Sequence, residues 1–318
     1  MSEETRISLD ELEKVLFEKF HKHGLDEKEA KETAKIFTFN AADGIISHSI
    51  LRVKRLIGHL DTGLVIPGRV PRLLSGFGGL ERYESNRAAG TTSGVFCARR
   101  SFQLAKEHGI GLVALRDANH WMRGGYYGWL AAEEGLVYIS WTNTIPNLPA
   151  WGSKERNIGN NPFVMAVPNK DGKHMVLDMA MSQFSNGKLE VTRRAGKLLP
   201  VDGGYDENGN LTKVPGDIEK TGRLLPAGFW KGSSMAIILD AAAALLSDGY
   251  TTAEQLECQK KTGEDEGRCS QVFISIAPDA LGPNGYEEAE AYLKKALREA
   301  APVKEGIVAR YPGERVIA

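Results

Sequence analysis

The hydrophobic pattern of this 318-residue chain changes near Val70, and the change limits the folds that it can adopt. Before Val70, apolar residues recur at the spacing of successive amphipathic helices. Three polar residues are predicted to cap the N-termini of these helices: Ser8 (with Glu11 three residues later), Asp26 (with Glu29) and Ser47. After Val70, short apolar runs with the length of strands alternate with helical segments. We therefore expect an N-terminal helical unit over residues 1–68 that packs with segment 284–318, beside a mixed-sheet α/β domain over residues 69–283.

The α/β part lacks the glycine patterns by which most such domains hold nucleotide phosphates. A Rossmann domain carries G-x-G-x-x-G between a strand and a helix, and a P-loop carries G-x-x-x-x-G-K-[ST]. The glycine-rich segments 76–79 and 124–125 fit neither pattern. A doubly wound parallel sheet is therefore disfavoured, and a nicotinamide cofactor would have to bind in another way.

Two later segments have an unusual composition. Residues 233–246 are apolar nearly all round, which predicts a helix buried on every side. Residues 200–228 are rich in Gly, Pro, Asp and Asn, and the stretch is too long for an ordinary connection. We expect a functional or intersubunit loop there.

Composition and charge argue against several functional classes. The 40 basic and 41 acidic residues nearly cancel, so the chain has no overall field that attracts nucleic acid or an anionic membrane. No apolar run approaches the ~20 residues that span a bilayer. The acidic N-terminus has no apolar core and does not resemble a secretory signal.

The cysteines and histidines predict neither disulfides nor a metal site. Cys97, Cys258 and Cys269 form no CxxC pair, and we expect free thiols in a reduced, cytoplasmic protein. The seven histidines include no HExxH pair, and no Cys/His cluster occurs. We therefore expect no catalytic metal.

A polar and aromatic loop over residues 116–129 is the first candidate for a functional site. It follows an apolar run, 111–115, that predicts a buried strand, and it leads into a helix that Gly135 ends. The loop contains Asn119 and His120, and loops on a rigid scaffold often carry binding and catalytic groups. The alternative is a structural loop in which His120 is hydrogen-bonded in the core.

His48 and Arg52 are the second candidate, because residues four apart on a helix share one face. His48 lies at the predicted start of the third helix, where the helix dipole favours a neutral imidazole. Such a histidine is suited to donate or accept a proton near neutral pH, and the planar guanidinium of Arg52 is suited to bind a carboxylate. The alternative is a solvated helix start without a chemical role.

Several motifs together resemble the malate/L-lactate dehydrogenase-like oxidoreductases. They are Ser47-His48-Ser49, Asn119 to Gly125, Trp141-Thr142-Asn143, Gly159 to Pro162, Asp178-Met179 and Phe229 to Gly232. The resemblance extends from about residue 8 to residue 315. It implies the family's own non-Rossmann, sulfolactate dehydrogenase-like α/β fold and the reduction of a 2-keto acid with NADH or NADPH. It also implies a homodimer with the active site at the subunit interface.

The residue patterns and the resemblance together predict the site. The predicted catalytic residues are His48 as proton donor, Arg52 and His120, and the predicted substrate-binding residues are Ser47, Asn119, Thr142 and Asn143. The predicted cofactor-binding residues are His174, Met175, Val176, Leu177, Asp178, Met179, Ala180, Trp230, Lys231, Gly313, Glu314 and Arg315. Two alternatives stay open, because Asp178 also fits a strand-end cap and His120 also fits the proton donor.

The predicted activity is the NADH-dependent reduction of a 2-keto sugar acid, although the sequence does not decide between NADH and NADPH. A malate, L-lactate or ureidoglycolate dehydrogenase is the alternative within the family. A catalytically silent protein that binds sugar acids is the alternative from another class, but it would not need His48 and His120 together. Relatives usually continue with a C-terminal helix after segment 312–315. We expect that this helix is dispensable or that the chain is truncated.

Overall fold

The computed structural model describes residues 6–263, 267–283 and 285–317. In this part of the chain the helices are α1 (Leu9–Lys22), α2 (Glu27–Ala42), α3 (Val53–Asp61), α4 (Gly90–His108), α5 (Gly125–Glu133), α6 (Asn186–Arg194), α7 (Pro215–Thr221), α8 (Trp230–Ser247), α9 (Thr252–Thr262), α10 (Tyr286–Glu299) and α11 (Glu314–Ile317). The strands are β1 (Arg72–Phe77), β2 (Leu80–Glu84), β3 (Ile110–Ala118), β4 (Val137–Thr142), β5 (Leu148–Pro149), β6 (Arg156–Ile158), β7 (Phe163–Val167), β8 (Met175–Met179), β9 (Gly204–Tyr205), β10 (Leu211–Thr212) and β11 (Cys269–Ile276). Short 3₁₀ turns cover Ile46–His48, Ile50–Arg52 and Pro278–Leu281.

The capping signals place the first two helices as the sequence predicts. The Ser8 side chain accepts a hydrogen bond from the Glu11 amide (3.2 Å), and α1 begins at the next residue. Asp26 and Glu29 form the reciprocal capping box of α2, with Asp26 Oδ1 2.8 Å from the Glu29 amide nitrogen. These caps satisfy amides that a helix end leaves without an intrahelical partner.

The prediction that Ser47 caps the third helix is wrong. Residues 46–52 form two 3₁₀ turns, and α3 follows them without a side-chain cap. The turns are tied to α2, because the Ser49 hydroxyl donates to a carbonyl of that helix (2.6 Å). The Asn40 amide donates in turn to the carbonyl of His48 (2.9 Å). These bonds hold His48 against α2 in a tight turn.

Seven strands form one mixed sheet in the order β1-β2-β3-β11-β4-β7-β8. Among its described strands, only β2 and β3 pair in parallel, and all other neighbours are antiparallel. Helices α4 and α5 pack on one face, and α8 packs on the other. The sheet is therefore mixed rather than doubly wound and parallel, as the sequence predicts.

One continuous core joins the N-terminal helices to the sheet. Side chains of α1, α2 and α3 share a buried cluster with α4, α5 and one face of the sheet. The C-terminal segment bonds to the β8 edge, where the Val176 amide donates to Pro312 O (3.0 Å) and the Asn169 side chain donates to Glu290 (2.5 Å). The division into a helical unit and an α/β domain stays a prediction.

Segment 200–228 contains short elements of its own. It includes the β9–β10 pair and α7. The Gln183 amide donates to Leu225 O (2.7 Å), and the Ala227 amide donates to Met181 O (2.8 Å). The segment is therefore anchored to the body of the molecule, and its role as a functional or intersubunit loop stays a prediction.

Helix α8 is not buried on every side, so this part of the prediction is wrong for the single chain. Ala236 and Leu239 are buried in the cluster against the sheet. Ile237, Ile238 and Leu245 are 49%, 60% and 77% exposed. Among the described helices, α8 included, none is both long and apolar enough to cross a membrane. The apolar composition of α8 thus predicted burial of the whole helix, but the described part of the chain covers only the side that faces the sheet.

Candidate active site

Two histidines from distant parts of the chain meet beside the end of β3. His48 lies in the 3₁₀ turn after α2, and His120 lies in the loop that leaves β3. Their ring centroids are 5.6 Å apart, and the ring planes are inclined by 30°. Arg52 lines one small cavity with His120, and its positive charge lowers the pKa of both rings. The three residues predicted to be catalytic therefore lie together.

His120 is held as a neutral hydrogen-bond donor. The backbone amide of Met122 donates to its Nδ1 (2.9 Å), so the ring proton is assigned to Nε2. Burial, followed by the charges of Arg52 and His48, lowers the pKa of His120 well below its usual value. This geometry suits His120 to hydrogen-bond a carbonyl or carboxylate oxygen rather than to supply a proton as an imidazolium.

His48 is the histidine whose protonation a ligand can change. Burial, followed by the charges of Arg52 and Arg123, lowers the pKa of His48 to about 4. A carboxylate bound beside Arg52 would offset these positive charges and raise the pKa of His48. His48 is therefore neutral in the ligand-free protein near neutral pH, and an anionic ligand favours its protonated form.

Arg123 links this region to the start of α5 and the end of β8. Its guanidinium contacts Asp43, and its Nε lies 3.2 Å from Asp178 Oδ2. The same Asp178 oxygen accepts a hydrogen bond from the Gly125 amide (2.9 Å). Burial raises the pKa of Asp178, and the charge of Arg123 opposes this effect. These contacts fit the alternative in which Asp178 is a structural residue at the end of a strand, because its carboxylate connects β8 to α5.

The sequence patterns did not indicate three further polar residues near the site. Arg55 and His59 line a small cavity together with Arg52, and the separations of three and seven residues are those of one helix face. This spacing could have indicated from the sequence that Arg55 and His59 lie on the same side of the helix as Arg52. Asp43 meets Arg123 across 80 residues of sequence, and no local pattern indicates such a pair.

The small cavity beside His120 has a volume of about 10 Å³, which holds roughly one water molecule. Asn119 lines it, and its Nδ2 donates to Ala88 O (3.1 Å). The hydroxyl of Ser47 lies 3.1 Å from His48 Nδ1, and Gly187 of α6 packs against the Ser47 side chain. The structure therefore places Asn119 beside His120 and Ser47 beside His48.

Thr142 and Asn143 lie at the end of β4, and their polar groups are occupied within the fold. The Asn143 amide donates to Asp240 (2.8 Å) and Tyr250 (2.7 Å). Its Oδ1 accepts from the Ser270 amide (2.7 Å) and from the Gln255 side chain (2.8 Å). The Thr142 hydroxyl donates to the Asn143 carbonyl (2.9 Å). Both side chains are buried. Both side chains therefore stabilise the fold, and their role in substrate binding stays a prediction.

The predicted cofactor segments converge at the β8 edge. Residue 176 pairs with residue 312, and the Ala227 amide donates to Met181 O (2.8 Å), just past Ala180. A Cβ on Gly313, whose φ is +91°, would lie 3.1 Å from the Val176 nitrogen, so only glycine allows this approach. Segment 313–315 therefore adjoins β8, and residues 226–227, just before Trp230, adjoin the continuation of that strand. His174 is buried, and its Nδ1 accepts a hydrogen bond from the Asn169 amide (2.8 Å).

Trp230 and Lys231 are the groups best placed to meet a cofactor at this edge. The Trp230 ring is 59% exposed, and Lys231 Nζ lies 5.9 Å from its centroid. The amides of Lys231 and Gly232 donate to the carbonyls of Gly228 and Ala227. These two amides at the start of α8 are thus already bonded within the fold, and the Lys231 side chain supplies the charge. An exposed aromatic ring beside an exposed cation fits a dinucleotide.

Comparison with known proteins places the chain among one group of enzymes. The sequence profile of the malate/L-lactate dehydrogenase family matches residues 7–318. The 2,3-diketo-L-gulonate reductase of Salmonella typhimurium is 42% identical over 309 residues, which are 97% of this chain and 91% of that protein. The reductase of the same name from Escherichia coli O1:K1 is 45% identical over 276 residues, 87% of this chain and 81% of that protein.

Solved structures show the same fold. The malate dehydrogenase of Pyrococcus horikoshii OT3 superposes with a TM-score of 0.87 at 26% identity, covering 98% of this chain and 87% of that chain. The sulfolactate dehydrogenase of Methanocaldococcus jannaschii superposes with a TM-score of 0.85 at 26% identity, covering 98% and 89%. The non-Rossmann fold that the sequence motifs imply is confirmed.

Proposed function

Because this chain belongs to the malate/L-lactate dehydrogenase family, we propose that it reduces 2,3-diketo-L-gulonate to 3-dehydro-L-gulonate with NADH. That it is an oxidoreductase follows from the family, and the substrate is that of the curated relatives. One observation carries the proposal for this chain. His48 and His120 stack at 5.6 Å beside the charge of Arg52, and this arrangement could bind a keto acid and protonate its carbonyl oxygen.

The proposed mechanism divides three tasks among these residues. The guanidinium of Arg52 binds the substrate carboxylate and fixes its orientation. His120 donates a hydrogen bond from Nε2 to an oxygen of the 2-keto acid. NADH, when bound, supplies the hydride that reduces the carbonyl carbon. The imidazolium of His48 gives its proton to the carbonyl oxygen, which becomes the hydroxyl of the product, and the resulting neutral His48 regains a proton from solvent.

The proposed cofactor site is the β8 edge. It consists of segment 174–180, the Trp230–Lys231 pair and segment 313–315, in which Glu314 and Arg315 begin α11. Lys231 would meet the pyrophosphate, and Trp230 would pack against the dinucleotide. NADPH is the alternative cofactor, because no residue here is assigned to the 2′ position of the ribose.

We also propose a homodimer. The exposed apolar side chains of α8, Ile237, Ile238 and Leu245, form a surface that a second copy of the chain would cover. The helix is apolar all round, which matches burial on both sides in an assembly. A cytoplasmic location, expected from the cysteines, stays a prediction.

A substrate panel tests the proposed activity. Oxidation of NADH and of NADPH is followed with 2,3-diketo-L-gulonate, oxaloacetate and pyruvate, each against a control without substrate. We expect the highest kcat/KM with 2,3-diketo-L-gulonate and NADH. A higher value with oxaloacetate or pyruvate would favour a malate or L-lactate dehydrogenase. Turnover of none of these would favour the silent binding protein.

A further inference from the structure

A second and larger cavity, here called the distal cavity, lies next to the histidine pair. Its volume is about 460 Å³, whereas the cavity beside His120 has about 10 Å³. Asn119 lines both cavities. Val65 lines the small cavity, and its neighbours Leu64 and Ile66 line the distal cavity. The two spaces are thus separated by single residues, and a six-carbon substrate needs more room than the smaller one offers.

One oxygen atom in the shared wall needs a hydrogen-bond donor. Asn119 is 3% exposed, and its Oδ1 accepts no hydrogen bond from any residue that the structure describes. The oxygen faces the distal cavity, because a Cβ on Gly267 in the cavity wall would lie 3.4 Å from it. Buried polar atoms are rarely left unpaired, and such an exception calls for an explanation. A hydroxyl group in the distal cavity would supply the missing donor.

The rest of the distal cavity offers donors and acceptors side by side. Arg69 donates to Asn86 Oδ1 (2.9 Å), and Arg268 donates to Asp117 Oδ1 (3.1 Å). Glu84 adds a second carboxylate, and ionised carboxylates have several acceptor positions each. With Arg87, the lining contains three guanidinium groups and two carboxylates, so positive and negative groups alternate along it. A hydroxyl group both donates and accepts, so a chain of hydroxyls matches the wall.

The backbone around the distal cavity is strained. Asn86, Arg87 and Asp117 line it with φ values of +56°, +61° and +52°, a left-handed region that is unfavourable for arginine and more accessible to asparagine and aspartate. Such strain persists only where the surrounding structure enforces it, and it concentrates at binding sites. The strained residues turn polar side chains toward one space.

We propose that the distal cavity binds the hydroxylated tail of the sugar-acid substrate, with Asn119 Oδ1 accepting a hydrogen bond from one of its hydroxyls. The inference rests on the proposed function and deepens it. Arg52 and His120 hold the keto-acid head, and the distal cavity holds the carbons beyond it. This cavity would then distinguish sugar acids from short 2-keto acids such as pyruvate.

Calorimetric titration of the NADH complex with L-gulonate and with L-lactate tests the proposal. L-gulonate has the hydroxylated tail, and L-lactate lacks it. The variants are Asn86→Gly, which suits the positive φ, and Asp117→Asn, which keeps the shape and removes the charge. We expect the Kd for L-gulonate to rise about tenfold in each, as for one or two lost hydrogen bonds, while that for L-lactate stays unchanged.

The matched control is Asp248→Asn. Asp248 also has a positive φ (+54°) and also meets an arginine, Arg116 (3.1 Å), but it does not line the distal cavity. We expect unchanged binding of both acids, and melting curves report the folding of every variant. Equal weakening of both acids, unchanged L-gulonate binding in both cavity variants, or binding of neither acid by the parent protein would overturn the proposal. If the proposed function is wrong but the cavity proposal is right, the parent protein turns over none of the keto acids. The two cavity variants would then still bind L-gulonate, but not L-lactate, more weakly than the parent protein does.

Discussion

At the scale of single residues, His48 and His120 differ in the hydrogen bonds of their ring nitrogens. His120 accepts a backbone hydrogen bond at Nδ1, and protonation there would break that bond. The neighbour of His48 Nδ1 is a serine hydroxyl, which can donate to a neutral ring or accept from a charged one. His48 can therefore change its charge without loss of a partner, whereas His120 cannot.

The pH dependence of reduction follows from the low pKa of His48. A proton donor must be protonated, and in the free enzyme this fraction falls as the pH rises through about 4. We therefore expect kcat/KM for reduction to fall about tenfold per pH unit above that value. The break in kcat should lie at higher pH, because the bound carboxylate offsets the charge of Arg52. A pH–rate profile with kcat/KM constant between about pH 5 and 8 would contradict this.

Replacing Lys231 tests the cofactor site. Lys231→Ala should weaken NADH binding several-fold, consistent with about 1 kcal/mol for an exposed charged contact. Lys260→Ala, which removes an exposed lysine on α9, is the control and should leave the Kd unchanged. Fluorescence titration with NADH measures both. An unaltered Kd in Lys231→Ala would remove this residue from the site.

At the scale of elements, the start of α4 fixes the His120 loop. A Cβ on Gly90 would lie 2.2 Å from the His120 carbonyl oxygen. Gly90→Ala should therefore destabilise the protein by about 1–3 kcal/mol, despite the better helix propensity of alanine. It should also raise KM, because His120 must move.

The matched control is Gly58→Ala within α3, where no atom lies within 4 Å of the added Cβ. This change should stabilise the protein by about 0.5–1 kcal/mol. Urea unfolding of both variants provides the comparison. If the two substitutions have the same sign, the close contact at Gly90 does not constrain the loop.

The helices and loops also show which features local sequence patterns can predict. Ser8 and Asp26 cap their helices as predicted, because a capping box is a local interaction. Ser47 does not, because hydrogen bonds to α2 override the local signal. His48 and His120 were found as separate motifs, and their contact required the fold. The role of Asp43 could not be predicted, because its partner lies 80 residues away.

At the scale of the whole molecule, the apolar face of α8 predicts the oligomeric state. Light scattering should give twice the 34.8 kDa of the chain. Leu245→Glu should shift the protein toward the monomer and reduce turnover, because burial of a charge at an interface is costly. Leu281→Glu alters another exposed leucine, in the 3₁₀ turn after β11, and should leave the dimer intact. A monomeric parent protein, or a Leu245→Glu dimer of full activity, would reject the interface.

Single-site kinetics test whether His48 is the proton donor. His48→Asn should lower kcat for 2,3-diketo-L-gulonate by about 10²–10⁴-fold, the usual size of general acid catalysis, with the Kd for NADH nearly unchanged. His120→Asn should act mainly on KM, because the residue positions substrate. If His48→Asn keeps most of kcat while His120→Asn loses it, the assignment of the two histidines is wrong.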